Sequence, residues 1–187
     1  MFQNAVELSH FYLQNTVKPG AFCVDATCGN GKDTVFLASL VKENGHVFAF
    51  DIQKAAIENT RAVLEKSGLS ERVKLILDGH ENMASYLGEK RADAFVFNLG
   101  YLPKGDHIIK TQGSTTVAAL DTALSLLKPN GIIIISIYHG GDSGFSERDT
   151  VLQYLQSLDP HEYHAVIHSY TNQPNFPPIL ALICRHL

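Results

Sequence analysis

The stretch Phe22-Cys-Val-Asp-Ala-Thr-Cys-Gly-Asn-Gly-Lys-Asp-Thr34 joins a short apolar run to a glycine-bearing turn and then to a helical pattern. Residues 22–24 are typical of a buried strand, and residues 34–41 have the apolar spacing of a helix. Gly29 and Gly31 permit tight turns and a close approach of the backbone to a ligand. The stretch therefore predicts a ligand-binding turn after the first strand of an α/β fold.

Length and composition predict an ordinary globular protein. The chain has 187 residues, 45% of them hydrophobic, so residues 1–187 are expected to form one domain with a sizeable core. A net charge of −4 and a pI near 6.1 argue against coating nucleic acid by bulk electrostatics, while leaving room for a local basic patch.

The cysteines and the apolar runs predict a cytoplasmic protein. Cys23, Cys28 and Cys184 are odd in number and lack metal-type pairing, which predicts reduced thiols with neither a disulfide framework nor a metal site. Residues 1–16 lack the uninterrupted apolar block of a signal peptide. No run approaches the roughly 20 apolar residues of a membrane span, so no membrane partner is expected.

The apolar periodicity predicts five strand–helix units followed by a hairpin. A flanking helix is expected within residues 1–18, ahead of the first strand. The predicted parallel strands cover residues 21–26, 46–51, 73–78, 92–98 and 132–138. The helices that follow them are predicted at 32–41, 53–67, 81–87, 115–127 and 147–157. Two last strands, within 162–170 and 179–185, have no helix between them and should be antiparallel neighbours.

Asp51 ends the second predicted strand, 26 residues after Asp25. An acid at this point of a nucleotide-binding fold commonly holds a ribose, because one carboxylate accepts hydrogen bonds from two vicinal hydroxyls. Asp is also a good helix N-cap, which is the alternative role. The glycine turn, the spacing and the strand end together favour the ribose role.

The third predicted strand ends in a polar turn, Asp78-Gly79-His80-Glu81. Such a turn would border an adenine ring and offer a donor or an acceptor to its amino edge. Asp78 is equally suited to capping the helix predicted at 81–87. Both roles stay open for this residue.

The fourth predicted strand delivers residues 98–103, Asn-Leu-Gly-Tyr-Leu-Pro, to the same edge of the sheet. A polar amide beside a glycine, an aromatic ring and a proline is hard to explain by packing alone, so we expect a site around Asn98 and Tyr101. The next ten residues form either a solvated surface loop or a cationic part of the site, supplied by Lys104, His107 and Lys110.

Residues 132–138, Ile-Ile-Ile-Ile-Ser-Ile-Tyr, are too uniformly apolar for a half-exposed strand. They are expected in the middle of a sheet that is covered on both faces. The strand leads into residues 139–144, His-Gly-Gly-Asp-Ser-Gly, which form a second candidate site loop.

The predicted C-terminal hairpin helps to distinguish between two classes of cofactor-dependent enzyme. A dinucleotide-dependent oxidoreductase has a similar first half, but its fingerprint has a third glycine where this chain has Thr34. With the antiparallel pair at the end and the Asn98 loop, nearly the whole chain resembles the class I S-adenosylmethionine-dependent methyltransferases. That resemblance implies a Rossmann-like α/β fold, whose seven-stranded, mostly parallel sheet has a C-terminal antiparallel hairpin and helices on both faces.

Three motifs carry a closer resemblance: residues 25–33, Asp-Ala-Thr-Cys-Gly-Asn-Gly-Lys-Asp; residues 98–103; and residues 138–141, Tyr-His-Gly-Gly. Together they resemble the bacterial family labelled putative rRNA methylase, whose characterised members are the MnmM (YtqB) tRNA methyltransferases. The resemblance implies N-methylation of 5-aminomethyl-2-thiouridine at the wobble position of tRNA, which gives 5-methylaminomethyl-2-thiouridine. The implied partner is the anticodon stem-loop.

The resemblance also implies the roles of individual residues. The cofactor, S-adenosyl-L-methionine, would contact Asp25, Thr27, Cys28, Gly29, Asn30, Gly31, Asp33, Thr34, Asp51, Ile52, Gln53, Asp78, Gly79, His80 and Asn98. The catalytic residues would be Asn98, Leu99 and Tyr101. The other candidate substrate contacts follow from the position of the loops after the fourth and fifth strands at the cofactor edge: Lys104, Lys110 and Arg148 for phosphates, and Gly100, Tyr101 and His139 beside them.

An amine acceptor is consistent with the residue types of these loops. Methylation at uridine C5 usually needs a cysteine nucleophile, and Cys28 lies in the cofactor turn, where we expect it to pack beneath the ligand. A deprotonated amine has its own lone pair, so the protein has to align it and accept one hydrogen. The Asn98 side-chain carbonyl or the Leu99 backbone carbonyl is the expected acceptor. Tyr101 would stack on or border the base, and His139 would accept the proton or contact phosphate.

The acidic net charge leaves two explanations open for an RNA enzyme. A few local cations suffice if an unstacked base of an anticodon loop enters a pocket. Alternatively, a homodimer joins two patches, with the loop at 170–178 contributing. The competing functions are an rRNA or small-metabolite methyltransferase with the same cofactor site, and a cofactor-binding module without catalysis.

Overall fold

Seven strands form one sheet in the computed structural model, which describes residues 4–100, 111–139 and 144–185. Each predicted strand has a counterpart, within a few residues at its ends. The strands are β1 (Phe22–Asp25), β2 (His46–Asp51), β3 (Val73–Leu77), β4 (Ala92–Leu99), β5 (Leu127–Ile137), β6 (Tyr163–His168) and β7 (Ile179–Arg185).

The strand order across the sheet is β3-β2-β1-β4-β5-β7-β6. The first five strands are parallel, and β7 is antiparallel to both β5 and β6. Strands β1 to β3 extend the sheet to one side and β4 and β5 extend it to the other, so the strand order switches between β1 and β4. In folds of this kind a crevice forms at the carboxyl ends of the strands where the order switches. The predicted mostly parallel sheet with a terminal hairpin is confirmed.

Six α-helices accompany the sheet in the described residues. They are α1 (Ala5–Thr16), α2 (Lys32–Val41), α3 (Lys54–Ser67), α4 (Met83–Leu87), α5 (Gly113–Leu126) and α6 (Gly144–Gln156), with short 3-10 turns at Ser70–Arg72 and His80–Asn82. None of the helices in these ranges combines the length and the apolar character that crossing a bilayer requires.

Two apolar layers cover the sheet. On one face, α5 and α6 pack against the strands through residues such as Leu120 and Val151. On the other, Leu13 of α1 and Leu37 of α2 are fully buried in a second cluster. Because both faces are covered, the isoleucines of β5 are buried, as its uniform apolar pattern predicts.

The start of β5 differs from the prediction. The Lys-Pro-Asn-Gly run at 128–131 was expected to separate a helix from the strand, but the strand already begins at Leu127, which pairs with Ala92. The pairing then jumps to Ala94 opposite Ile132, so the run forms an irregularity within the strand. Pairing with a distant strand decides this boundary, and the local turn residues do not reveal it.

Candidate functional site

The polar residues predicted for the site lie at one edge of the sheet. Asp25, Asp51 and Asn98 stand at the carboxyl ends of β1, β2 and β4, and Tyr138 directly follows β5. Parallel pairing brings these ends together, because all four strands run in the same direction. The fold therefore assembles one polar edge from four separate stretches of sequence.

Asp25 is a fully buried carboxylate beneath the glycine turn. The Thr34 hydroxyl donates to its Oδ2 at 2.6 Å, and the Thr27 backbone N–H donates to Oδ1 at 3.2 Å. Burial, reinforced by the neighbouring charge of Asp33, raises the pKa of Asp25 to about 7. Its environment therefore favours the protonated form more than that of an exposed aspartate does.

The glycine turn is fastened to α3. The Gly29 carbonyl accepts from the Thr60 hydroxyl of α3 at 3.1 Å, and the Asn30 side chain accepts from Asn59 at the same distance. Gly31 has φ +80°, and a Cβ at this position would lie 3.1 Å from the Thr60 Cα. The turn thus needs glycine at 31 for its backbone conformation and for its close packing on α3.

Asp51 holds the turn through its side chain. Its Oδ2 accepts from the Gly29 N–H at 3.0 Å, and its Oδ1 accepts from the Gln53 N–H at 2.9 Å. Burial raises the pKa of Asp51, against the lowering effect of these hydrogen bonds. Two lone pairs of the carboxylate remain, enough to accept from two vicinal hydroxyls. The side chain bonds to the N–H of Gln53, the residue before α3, and keeps this acceptor capacity as well; Asp51 is not the N-cap of the helix.

A chain of three side chains links α1, α2 and β4. The His10 ring nitrogen Nε2 lies 2.6 Å from Asp33 Oδ1, and Asn98 Nδ2 donates to Asp33 Oδ2 at 2.7 Å. The His10 ring also stacks on Phe36, with 3.7 Å between the centroids. Because Asp33 takes the amide nitrogen of Asn98, the carbonyl Oδ1 of that amide is turned away from Asp33.

The backbone that follows β4 is fixed beside Tyr138. The Leu99 carbonyl accepts from the Tyr138 N–H at 3.2 Å, and the Leu99 side chain is buried in the core. Gly100 has φ +149°, and a Cβ there would lie 3.5 Å from the Tyr138 Cβ. Burial, with the nearby charge of Asp33, raises the pKa of the Tyr138 phenol. Tyr138 therefore belongs to this edge, although it was not among the predicted contacts.

Gly100 and Thr111 are hydrogen-bonded to each other, and Thr111 is also bonded to a buried carboxylate. The Gly100 N–H donates to the Thr111 hydroxyl at 2.8 Å, and the Thr111 N–H donates back to the Gly100 carbonyl at 3.0 Å. Glu147, only 8% exposed, accepts from the hydroxyls of Thr111 and Thr116 at 2.7 and 2.9 Å. Thr111 is thereby linked to Gly100 and to Glu147 of α6, and Glu147 in turn is linked to Thr116 of α5.

In the turn after β3, the Asp78 side chain is engaged in hydrogen bonds to residues of the same turn and the helix that follows. Its carboxylate accepts from the Gly79 N–H, the Asn82 amide and the Tyr86 hydroxyl at 2.7–2.8 Å, and these hydrogen bonds lower its pKa. Asp78 therefore closes its own turn. His80 is 7% exposed, burial lowers its pKa, and its Nε2 has no partner within the described residues.

The remaining predicted residues differ in accessibility. His139 is 7% exposed, and its Nδ1 lies 3.3 Å from the Ile137 carbonyl. Arg148 pairs with Asp149 at 2.7 Å and lies over the Phe145 ring, so its charge is partly neutralised. The predicted site residues that lie outside the described ranges are Tyr101, Lys104, His107 and Lys110, together with residues 140–143 of the second candidate loop.

Three features of this edge fit a nucleoside cofactor. Asp51 keeps lone pairs for ribose hydroxyls, and the Ile52 side chain beside it is 56% exposed, which gives an apolar surface that a base can cover. The unpartnered His80 Nε2 supplies a polar atom on the same side, near Asp51. No cluster of three or more potential metal ligands occurs in the described residues.

His10, Tyr138 and Glu147 are the residues of this edge that the sequence reasoning missed. His10 lies 23 residues before Asp33 on a separate helix, and no local pattern relates the two. The burial of Glu147 could have been predicted from the sequence, because this residue shares one helical face with the buried Val151. A carboxylate on an apolar face needs buried partners.

Comparison with known proteins gives consistent matches. A family model described as "Putative rRNA methylase" matches residues 47–184. A protein of Arabidopsis thaliana named "tRNA (mnm(5)s(2)U34)-methyltransferase, chloroplastic" is 34% identical over 192 residues, which cover 98% of this chain and 70% of that protein.

Two solved structures are similar over 99% of both chains. One, described as a putative rRNA-methylase from Clostridium thermocellum, is 49% identical with a TM-score of 0.97. The other, a putative methyltransferase from Streptococcus mutans in complex with SAH, is 37% identical with a TM-score of 0.91.

Proposed function

This chain belongs to the family described as "Putative rRNA methylase", and on that premise we propose that it methylates transfer RNA. It moves a methyl group from S-adenosylmethionine to the amine of 5-aminomethyl-2-thiouridine at the wobble position, giving 5-methylaminomethyl-2-thiouridine. The name of the Arabidopsis relative supports the tRNA substrate, and the S. mutans complex with SAH supports the cofactor. The orientation of the Asn98 amide is the observation that carries the proposed chemistry.

The cofactor is S-adenosylmethionine, which when bound supplies an electrophilic methyl group on its sulfonium. Asp51 accepts from the ribose hydroxyls, and Ile52 and His80 border the base. The glycine turn over Asp25 holds the methionine part through its backbone. The ribose assignment rests on the lone pairs that Asp51 still has free, and the base assignment rests on the exposed side chain of Ile52.

Asn98 aligns the amine of the substrate. Its Nδ2 is held by Asp33, so its Oδ1 is the acceptor that remains for an amine N–H. The Leu99 carbonyl, the alternative acceptor, already receives the Tyr138 N–H. A hydrogen bond from the neutral amine to Asn98 Oδ1 directs the nitrogen lone pair, and alignment of this kind is a main source of rate enhancement. We therefore assign the acceptor role to Asn98.

The cysteines support an amine over a ring carbon as the methyl acceptor. Methylation at uridine C5 usually requires a thiolate near the base. Burial raises the pKa of the Cys28 thiol, and the charge of Asp25 adds to the effect, so this thiol stays protonated and packs in the core. Within the described residues, Cys23 is equally buried, and Cys184 lies on β7.

The partner and the setting follow from the same proposal. We propose that the anticodon stem-loop approaches the carboxyl edge of the sheet, with Lys104, Lys110 and Arg148 near phosphates, and with Gly100, Tyr101 and His139 near the base. The chain would work in the cytoplasm as a single methyltransferase domain over residues 1–187, and a homodimer would join two basic patches. The net charge of −4 favours the alternative of a small-metabolite acceptor.

Methyl transfer to tRNA tests the proposal directly. The protein is incubated with radiolabelled S-adenosylmethionine and either tRNA from a strain that lacks the gene, rRNA, or a metabolite extract, and wobble nucleosides are identified by mass spectrometry. We expect label in 5-methylaminomethyl-2-thiouridine only. Label confined to rRNA or to a metabolite would establish the alternative.

The variant Asn98→Ala tests the role of the amide. Methyl transfer should be abolished while the affinity for S-adenosylmethionine stays within about threefold, since the ribose and base contacts lie on other strands. The variant Asn59→Ala, which removes a neighbouring amide that contacts only the outer side of the turn, serves as the matched control. Normal turnover by Asn98→Ala would remove this residue from the mechanism.

A further inference from the structure

A groove lies beside the proposed methyl-transfer site, between the end of β5 and the connection from β6 to β7. Ile179 pairs with Ile137, which places the start of β7 next to the end of β5. His139 forms one wall of the groove, and its neighbour Tyr138 is hydrogen-bonded to Leu99 of β4. The groove thus opens at the same edge of the sheet as Asn98.

The lining of the groove is neutral. It has a volume of about 380 Å³, within the usual range of about 300–1,000 Å³ for small-molecule sites. Its described walls carry no carboxylate, ammonium or guanidinium group. Amide, phenol and ring groups line it instead, among them His139, Tyr170, Gln173, Asn175 and Phe176. Such a surface suits an uncharged ring with donors and acceptors at its edge, and does not suit a phosphate.

Phe176 gives the groove an exposed aromatic surface. Its side chain is 61% exposed, and it makes T-shaped contacts with Phe145 and His139 at centroid distances of 5.3 and 6.1 Å. Phe176 and the preceding Asn175 have φ values of +50° and +64°. A bulky residue is rare in this left-handed region, and such strain is concentrated at functional sites. The backbone therefore holds this ring in an exposed position at a conformational cost.

Tyr170 adds an unused polar atom. Its hydroxyl is buried in the groove wall and has no hydrogen-bond partner within the described residues. A buried hydroxyl without a partner is unfavourable, and a ligand group that bonds to it removes that cost. The amides of Gln173 and Asn175 offer further donors and acceptors. Ring stacking and edge hydrogen bonds are therefore available in one place.

We propose that this groove binds a nucleobase of the substrate RNA that neighbours the methylated nucleotide, stacked on Phe176. The inference rests on the proposed function and extends it to a second base. Strands are about 4.8 Å apart, so β7 lies about 10 Å from β4. A stacked strand advances only ~3.4 Å per nucleotide, but an unstacked anticodon strand covers more distance per nucleotide, so a base next to the methylated one can reach the groove. Sequence-tolerant stacking on an aromatic ring also explains how an acidic protein gains RNA affinity without many cations.

The variant Phe176→Ala tests the groove in steady-state kinetics with an anticodon stem-loop that carries 5-aminomethyl-2-thiouridine. We expect KM for the RNA to rise about 5- to 150-fold, the loss that corresponds to one stacked base, while kcat and the Kd of S-adenosylmethionine stay unchanged. Phe176→Tyr should restore KM. The matched control is Phe11→Ala, since Phe11 is also an exposed phenylalanine, 46% exposed, but lies on α1 outside the groove.

Abasic substrates identify the bound base. Stem-loops with one abasic nucleotide beside the wobble position are compared for the wild-type protein and Phe176→Ala. One of these substrates should raise the KM of the wild-type protein to the value that Phe176→Ala has with the intact stem-loop. The same substrate should not raise the KM of Phe176→Ala any further.

Four outcomes overturn the inference. The first is an unchanged KM for RNA in Phe176→Ala, with an active wild-type protein. The second is a loss of S-adenosylmethionine affinity in Phe176→Ala that equals the loss for RNA, which assigns the groove to the cofactor. The third is dissociation of a dimer in sedimentation, which assigns it to a second copy of the chain. The fourth is a wild-type protein that methylates no RNA, which also removes the proposed function and is thus distinct from the first.

Discussion

The substitution Asp33→Ala tests how the methyl-transfer site is oriented. Asp33 is almost buried and accepts from Asn98 Nδ2 at 2.7 Å, while its other oxygen lies 2.6 Å from His10. Removing the carboxylate frees the Asn98 amide to rotate, so its Oδ1 no longer points consistently at the amine. The cofactor-facing backbone of the turn keeps its own hydrogen bonds through Asp51.

The expected size of the effect follows from the hydrogen bond that is lost. A hydrogen bond to a charged group contributes about 1.5–3 kcal/mol, and each 1.36 kcal/mol changes a rate tenfold. Asp33→Ala should therefore lower the rate of methyl transfer about 10- to 150-fold. Asp33→Asn keeps an acceptor oxygen of the same shape, so its loss should be smaller. His10→Ala removes only the outer partner of Asp33, and its effect should be the smallest.

Single-turnover methyl transfer at saturating S-adenosylmethionine is the assay, with cofactor Kd measured by calorimetry. The orientation argument requires a slower transfer step at unchanged cofactor Kd. A large rise in cofactor Kd with a normal transfer step would show that Asp33 contacts the cofactor, as the sequence resemblance implied. Equal transfer rates together with an equal cofactor Kd for Asp33→Ala and the wild-type protein would refute both roles.

Three further predictions concern stability. The pKa of Asp25 is raised to about 7, so the folded protein retains a proton there that the unfolded chain loses near pH 4. The contribution of Asp25 to the free energy of unfolding therefore falls by about 4 kcal/mol as the pH rises from about 4 to 7. Asp25→Asn should accordingly gain stability relative to the wild-type protein over that range in urea titrations, and a constant difference would contradict the assigned pKa. Gly31→Ala should lose at least about 1 kcal/mol, because φ is +80° and Thr60 leaves no room for a Cβ, and an unchanged Tm would contradict this. Glu147→Ala should cost about 1–3 kcal/mol by leaving the Thr111 hydroxyl without its acceptor, with Glu147→Gln in between, and an unaltered chemical-denaturation midpoint would oppose that role.

Local patterns were sufficient for the first half of the fold. The apolar run, the glycines and the helical spacing define β1, the turn and α2, and the predicted α2 matches Lys32–Val41. The spacing to Asp51 locates the end of β2 in the same way. These features depend on residues that are close in sequence, so periodicity and turn chemistry report them directly.

Features set by distant partners were not predictable in this way. The early start of β5 depends on the pairing of Leu127 with Ala92, 35 positions earlier. The link between His10 and Asp33 depends on how α1 docks against the sheet. The sequence left two roles open for Asp78, and only its three hydrogen-bond partners in the folded turn show that it closes that turn.

The docking of α1 has a consequence for synthesis on the ribosome. Leu13 of this helix is buried with Leu180 and Leu182 of β7, and the Tyr12 hydroxyl lies 3.0 Å from His168 of β6. α1 thus has its binding surface completed by strands that are translated much later than the helix itself. A nascent chain or fragment that lacks the hairpin loses this part of the surface, so α1 docks less firmly and holds His10 less firmly beside Asp33. Such chains should therefore have reduced activity even when every residue of the glycine turn is present.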